Sequence, residues 1–156
     1  MHHNCIIIGV IGGNYCAEAD ALAAEAVGRR IAEKGAMLIC GGGQGIMEAA
    51  CRGAAEAGGT TIGILPGGDC LEANPYVTVP VATGMGVGRN IVIIRTARAL
   101  IAIDGKYGTL SEIAYALQLH KPVFSLNSWN DIPGVVPVGS PEEAVERAFA
   151  ALEAGG

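Results

Sequence analysis

Aromatic side chains are scarce in this 156-residue chain: two Phe, four Tyr and one Trp make up 4% of it. A core without rings has to be packed from small aliphatic side chains, which suits helices laid against a parallel sheet buried on both faces. Charge is sparse too, at 16%, and its balance is acidic, with ten Lys and Arg against fifteen Asp and Glu for a net −5. No helix-forming stretch carries a basic run or stripe, so the electrostatic footprint of a polynucleotide binder is missing and no nucleic acid polymer is expected as a partner. No apolar run reaches the ~18 residues that a membrane span requires. The short apolar run from Cys5 to Ile11 has neither a basic flank nor a cleavage site. A soluble, cytoplasmic protein without a membrane partner is the expectation.

The five cysteines are an odd number and include no C-x-x-C pair. That excludes a closed disulfide framework and leaves reduced thiols. Cys5 and Cys40 fall in apolar strands and read as small core residues. Cys16 lies in the loop after the first strand, where a ligand could approach, but no base is at hand to activate it. No metal site is expected. His2 and His3 lie too near the terminus to carry a reading. With no internal repeat and no linker, residues 1–156 read as a single domain, large enough to bury roughly 70% of its unfolded surface.

What the chain has in abundance is glycine, 24 residues, within a composition that is 51% hydrophobic. Cys5 to Ile11 predicts a first strand, Gly12-Gly13-Asn14 a turn, and a helix follows over about 20–34, stopped by Gly35 in a C′ position. Ala36 to Cys40 predicts a second strand, Gly41-Gly42-Gly43-Gln44-Gly45 a tight loop, and Ile46 to Ala57 an alanine-rich helix. Thr60 to Leu65 predicts a third strand and Tyr76 to Val81 a short fourth. A flexible glycine-rich approach, Thr83 to Gly88, leads to a helix over about 89–97 and the apolar strand Ala99 to Ile103. Thr109 to His120 then reads as a helix, Pro122 to Leu126 as a strand, and Ser140-Pro141-Glu142-Glu143 as the capping box of a last helix. This alternation specifies an α/β fold: a doubly wound, Rossmann-like parallel sheet in three α/β/α layers, in the order 3-2-1-4-5-6.

Two strand-to-helix junctions are rich in glycine: Gly41 to Gly45, and Gly105-Lys106-Tyr107-Gly108-Thr109. The first N–H groups of a helix lack intrahelical partners and sit at the positive end of its dipole, so each junction can hold an anion. Glu112 lies about one turn inside the second helix, at the same mouth. In an open parallel sheet both junctions fall outside the carboxyl ends of the strands, where ligands bind. Neither junction is a dinucleotide fingerprint, because Gly9-Val10-Ile11-Gly12-Gly13 has the wrong spacing and the second strand ends without a carboxylate. Neither is a Walker loop, since no Lys followed by Ser or Thr comes after the glycines.

Taken in order, Gly41-Gly42-Gly43-Gln44-Gly45-Ile46-Met47, Gly63-Ile64-Leu65-Pro66, Gly88-Arg89-Asn90 and Tyr107-Gly108-Thr109-Leu110-Ser111-Glu112 resemble the Lonely Guy (LOG) superfamily, once labelled lysine decarboxylases. The continuation Ser111-Glu112-Ile113-Ala114 is most similar to its molybdenum-cofactor carrier-like branch. The resemblance implies a homodimer or homotetramer that binds a small phosphorylated ligand, either a nucleoside monophosphate or the molybdenum cofactor, neither of them required for folding. It assigns catalytic roles to Glu112 and Arg89, with Glu112 positioning water and stabilising an oxocarbenium-like ribose while Arg89 holds negative charge. Gly108 and Thr109 match its phosphate loop, and the glycine junctions with their flanks extend the expected ligand contacts to Gly12, Gly13, Gly41, Gly42, Gly43, Gly45, Met85, Asn90, Gly105, Lys106 and Tyr107. LOG enzymes carry Pro-Gly-Gly where this chain has Asp104-Gly105-Lys106. An aspartate there adds negative charge near an expected phosphate, which Lys106 can offset.

Plainer readings stand beside these. Glycines at such turns also serve close helix-to-sheet packing, and Glu112 can complement a helix N-terminus. Arg95 and Arg98 read as surface or subunit-contact charges, His120 as a dipole partner, Met37 and Met47 as packing, and Trp129 as a mark of a subunit interface. The altered loop favours a binding protein that holds a nucleotide-like or pterin ligand without rapid turnover. The alternative is a phosphoribohydrolase cutting the N-glycosidic bond of a nucleoside 5′-monophosphate, and last comes an interaction subunit with a vestigial site. Lysine decarboxylation is excluded because nothing frames Lys34, Lys106 or Lys121 as a Schiff-base lysine.

Overall fold

The computed structural model, which describes residues 5–155, shows why five consecutive apolar residues suit the middle of the sheet. Ala99 to Ile103 is buried at every position, as a parallel strand covered on both faces must be. His2 and His3 lie outside the described residues.

In chain order the elements are β1 (Ile7–Ile11), α1 (Glu18–Glu33), β2 (Met37–Cys40), α2 (Ile46–Glu56), β3 (Thr61–Leu65), β4 (Val79–Ala82), α3 (Asn90–Thr96), β5 (Ala99–Ile103), α4 (Tyr107–Gln118), β6 (Val123–Leu126), β7 (Val136–Pro137) and α5 (Pro141–Gly155). Single 3-10 turns occupy Cys70–Glu72 and Gly86–Arg89. The seven strands form one parallel sheet, ordered β4-β3-β2-β1-β5-β6-β7. Its centre follows the doubly wound order, with β1 flanked by β2 and β5 through the pairs Ile8–Leu38 and Ile8–Ala99.

The edges correct the sequence reading. The fourth strand does not start the second half of the sheet but lies outside β3, where Gly63 pairs with Pro80; proline has no N–H to donate and suits an edge. It begins at Val79 rather than Tyr76 because Thr61 Oγ1 donates to the Tyr76 carbonyl at 2.6 Å and accepts from Thr78 N at 2.8 Å, tying those residues across the strand ends. On the other edge the two-residue β7, which no sequence pattern announced, pairs Phe124 with Val136. Cys5 is exposed ahead of β1, not part of the core. Cys40 is buried as expected, its sulfur 3.5 Å from that of Cys51.

Alternate residues along each strand feed two separate cores. One face of the sheet presents Ile8, Val10, Leu38, Ile101 and Ile103 to Ala24, Val27 and Ile31 of α1, Ala50 and Ala54 of α2, and Ala144 and Ala148 of α5. The other presents Ile11, Ile39, Ile64, Leu100 and Ala102 to Ile93 and Ile94 of α3 and Ile113 and Ala116 of α4. These are the three layers. Against each other, α1 and α2 pack with no room for a side chain at two reciprocal glycines: a Cβ on Gly28 would lie 1.9 Å from the Ala50 carbonyl, and one on Gly53 would lie 1.9 Å from that of Glu25. Small residues therefore set the distance between the helices.

Helix ends follow their local chemistry. Gly35 takes φ +78 in the C′ position after α1, and its N–H bonds the Ala32 carbonyl at 2.9 Å. Ser140 caps α5 by accepting from Glu143 N at 3.1 Å, and the Glu143 carboxylate returns the bond to Gly139 N at 2.7 Å. Lys121 Nζ donates to the carbonyls of Arg95 and Ala97 at the end of α3, at 2.9 and 2.6 Å. Among the described residues, no helix is long and apolar enough to cross a membrane.

Candidate functional site

The sheet opens where β1 and β5 lie side by side but their chains depart in different directions, the place where a doubly wound fold leaves a crevice. A cleft of about 340 Å³ occupies it, walled by the exits of β1, β2 and β5 and by the 3-10 turn before α3. From the first exit come Gly12, Gly13 and Asn14, from the second Gly41 and Met47, from the turn Val87, Arg89 and Asn90, and from the third Asp104, Gly105, Lys106, Gly108, Thr109 and Glu112.

The exit of β5 is the open one. Asp104 and Gly105 both adopt left-handed φ, 50° and 91°, which turns the chain sharply into α4. A Cβ on Gly105 would lie 2.2 Å from Thr109 Oγ1, so no larger residue fits over the first helical turn. Lys106 is the N-cap and supplies no side-chain cap. Among the described residues, the main-chain N–H groups from Gly105 to Thr109 have no protein acceptor. Donors at the positive end of a helix, facing a cleft, suit an anion.

Two buried polar side chains point the same way. Thr109 is 3% exposed and Glu112 8%, and among the described residues neither side chain makes a hydrogen bond. Burial pushes the Glu112 carboxyl up to about 7, with the nearby Arg89 charge opposing that rise only in part. Burial also lowers the guanidinium of Arg89, which Glu112 and Cys40 partly offset. Arg89 does not close onto Glu112. Its Nε donates to the Ile64 carbonyl at 2.8 Å, Nη1 to Asn90 Oδ1 at 2.7 Å and Nη2 to the Gly41 carbonyl at 3.4 Å. Two of its five N–H groups remain for a ligand.

The exit of β2 is bound up with the rest of the protein. Ile46 N, the first donor of α2, bonds the Gly13 carbonyl at 3.1 Å, and Gln44 N bonds Asn14 Oδ1 at 3.2 Å. Asn74 Nδ2 donates to the Gly43 carbonyl at 2.8 Å. Of the four glycines expected here as ligand contacts, only Gly41 lines the cleft. Gly42 packs on Leu65 and Gly63, Gly43 against Asn14 and Met47, and Gly45 against the main chain of Gly13 and Asn14.

Two other expected contacts turn their side chains away from the cleft. Met85 is 51% exposed at the surface, and Val87 from the same turn takes the place expected for it. Tyr107 is 80% exposed because α4 begins there, two residues earlier than its sequence pattern suggests, and its ring lies 6.2 Å from that of Trp129. Trp129 itself donates to the Lys106 carbonyl at 3.1 Å and so braces the loop at the site. Asn14 was missed, although an asparagine directly after Gly12-Gly13 at the end of a strand is a signal of the kind that marked the other residues. Cys16 stays protonated, its thiol raised by burial and by Asp20 and Asp104. Lys34 pairs with Glu146 at 2.9 Å and Lys121 caps α3, leaving Lys106 as the lysine at the cleft.

The chain belongs to the SLOG cluster4 family, whose profile matches residues 5–149. An uncharacterised protein of Archaeoglobus fulgidus is 46% identical over 138 residues, covering 88% of this chain and 91% of that one. A molybdenum cofactor binding protein from the phototrophic bacterium Rippkaea orientalis has the same fold, with a TM-score of 0.91 and 32% identity over 97% of this chain and 99% of that one. A rice protein (Oryza sativa subsp. japonica) named as a probable cytokinin riboside 5′-monophosphate phosphoribohydrolase is 33% identical over 115 residues, which are 68% of this chain and 47% of the rice protein.

Proposed function

We propose that this protein binds a phosphorylated ligand, nucleotide-like or of the molybdopterin type, with the phosphate at the start of α4. The observation that carries the reading is the run of N–H groups from Gly105 to Thr109 that find no protein acceptor among the described residues, at a cleft lined by Gly105, Lys106, Gly108 and Thr109, where the largely buried Thr109 and Glu112 side chains make no hydrogen bond among the described residues. Similarity to the Rippkaea protein supports it. The residues present fit such a ligand: the amides, the Thr109 hydroxyl and Lys106 suit a phosphate. The side-chain amides of Asn14 and Asn90 offer donors and acceptors to the edge of a ring. If the ligand is the molybdenum cofactor it is cargo, and its redox chemistry is supplied elsewhere. We further propose that the protein works as a homodimer or homotetramer in the cytoplasm, which light scattering after gel filtration tests for the oligomer.

A second reading, hydrolysis of a nucleoside 5′-monophosphate, is favoured by one feature, a carboxyl held near 7. Such a group exchanges protons readily at neutral pH. Glu112 in its ionised form would orient water toward the ribose C1′ and stabilise the positive charge developing there as the bond to the base breaks. Against rapid turnover, Arg89 is already engaged with two main-chain carbonyls and Asn90, and Asp104 brings a second carboxylate to the cleft.

Incubation with AMP separates the readings. Saturable binding by calorimetry without release of adenine supports the binding protein, whereas adenine release that disappears in Glu112→Ala supports the hydrolase. Absence of both binding and release removes the two together.

A further inference from the structure

The segment 127–130, between β6 and β7, contributes nothing to the wall of the cleft, yet two of its consecutive side chains hold the loop that does. Ser128 Oγ donates to the Asp104 carbonyl, and Trp129 Nε1 donates to the Lys106 carbonyl at 3.1 Å. The segment is itself anchored at both ends. Asn127, in a left-handed conformation with φ 54, donates from Nδ2 to Asp20 Oδ1 at 3.0 Å, and Asn130 Oδ1 accepts from Ser125 Oγ at 2.6 Å.

Across a planar trans peptide, the carbonyl of one residue and the N–H of the next point in opposite directions. A grip on the Asp104 carbonyl therefore fixes the direction of the Gly105 N–H, and a grip on the Lys106 carbonyl fixes that of Tyr107. Both carbonyls are drawn toward a segment outside the cleft, so both N–H groups point away from it, and among the described residues neither has a protein acceptor. The Lys106 carbonyl also receives the first bond of α4, from Leu110 N at 2.9 Å. Loop and helix are thus pinned at one atom. The need for an outside brace is plain from the conformation: Asp104, a residue with a side chain, sits at φ 50 directly before Gly105 at φ 91, a region that L residues disfavour.

We infer that Trp129 and Ser128 are positioning residues for the ligand's phosphate, aiming the Gly105 and Tyr107 amides by holding the carbonyls that precede them. The inference rests on the anion-binding reading of the α4 junction. Trp129 is the chain's single tryptophan, so its emission reports directly on the loop.

The test measures AMP, ribose 5-phosphate and adenosine by calorimetry on the wild type, Trp129→Phe and Ser128→Ala, and follows tryptophan emission in the wild type. Trp129→Phe keeps a ring beside Tyr107 and removes only the N–H donor. Each variant is expected to weaken AMP and ribose 5-phosphate equally, by about tenfold as befits one lost positioning hydrogen bond. Adenosine affinity stays unchanged, and the wild-type emission shifts saturably with both phosphorylated ligands. If the wild type binds AMP and both variants bind it as tightly, the positioning role is overturned while the phosphate site stands. Adenosine weakened as much as AMP means general damage to the fold and also overturns it. A wild type that binds neither phosphorylated compound removes the anion site and this role with it.

Discussion

Two glycine-rich turns that read alike in sequence do opposite things in the structure. After β2, the helix start is filled by the protein: Gly13 and Asn14 accept the N–H groups of Ile46 and Gln44, and Gly45 fits against their main chain. After β5, the N–H groups at the helix start have no protein acceptor among the described residues, and the loop's carbonyls are held from behind by Ser128 and Trp129. The first turn is a joint; the second, on the proposed reading, is a cradle. Glycine is needed in the first because the Gly13–Asn14 main chain is close and in the second because the buried Thr109 side chain needs space, and on the proposed reading a ligand does as well. Composition alone does not separate these uses.

Substitutions sharpen the contrast. The largest effect belongs to the joint: a Cβ on Gly45 would lie 2.5 Å from the Gly13 carbonyl, at φ +61. Gly45→Ala should cost about 2–4 kcal/mol, by overpacking and backbone strain together, and lower the melting temperature by roughly 5–15 °C. A melt of Gly45→Ala that overlays the wild type would show that this turn is not a joint.

Glu112 comes next. Its carboxyl titrates at about 7 in the folded protein against about 4.3 in an unfolded chain. Between those values the folded state holds a proton that the unfolded state has lost, so stability falls as pH rises from ~4.5 to ~7 and stays reduced above that. Glu112→Gln removes the penalty and should stabilise the protein by about 1–3 kcal/mol at pH 8 and by almost nothing at pH 4. Denaturant melts at the two pH values check the sign. An anion bound in the same cleft raises this carboxyl further, so phosphate ligands should bind with proton uptake and more weakly above pH 7, which calorimetry in buffers of different ionisation enthalpy reads out.

Asp104 tests the electrostatics of the cradle. Asparagine tolerates the left-handed conformation that this position requires, so Asp104→Asn removes charge with little change of shape. A tighter fit for AMP, by roughly two- to tenfold at low salt and less at high salt, is the expected result. The smallest change is at Gly108, where an added Cβ would meet nothing within 4 Å. Gly108→Ala should stabilise the unliganded protein by up to about 1 kcal/mol, through helix propensity, while weakening any ligand that lies against that turn. Gain in one measurement with loss in the other is what a cradle predicts and a joint does not.

Much of this was legible beforehand. The apolar runs at Ala99 to Ile103 and Ala36 to Cys40, the Ser140 capping box and the stop at Gly35 are local statements, and the structure follows them, to within one residue at the second strand, because local chemistry decides them. Arg89 and Glu112, apart in the chain, face one cleft as their motifs implied. The misses are of another kind. β7 is two residues long and is defined by its pairing with Phe124 and Ser125, Cys5 falls two residues before the sheet, and the hold of Trp129 on Lys106 joins residues 23 apart. Nothing in the sequence around Trp129 names Lys106 as its partner, so this hold is not legible there.

Sequence by itself determined the layered parallel sheet, the caps and the two strand-to-helix junctions, because periodicity and turn chemistry act over a few residues. Only the tertiary structure decided which junction is filled and which is open. An N–H group is free or bound according to whether a carbonyl from a distant segment lies within about 3 Å of it, and that distance is set by how the whole sheet packs.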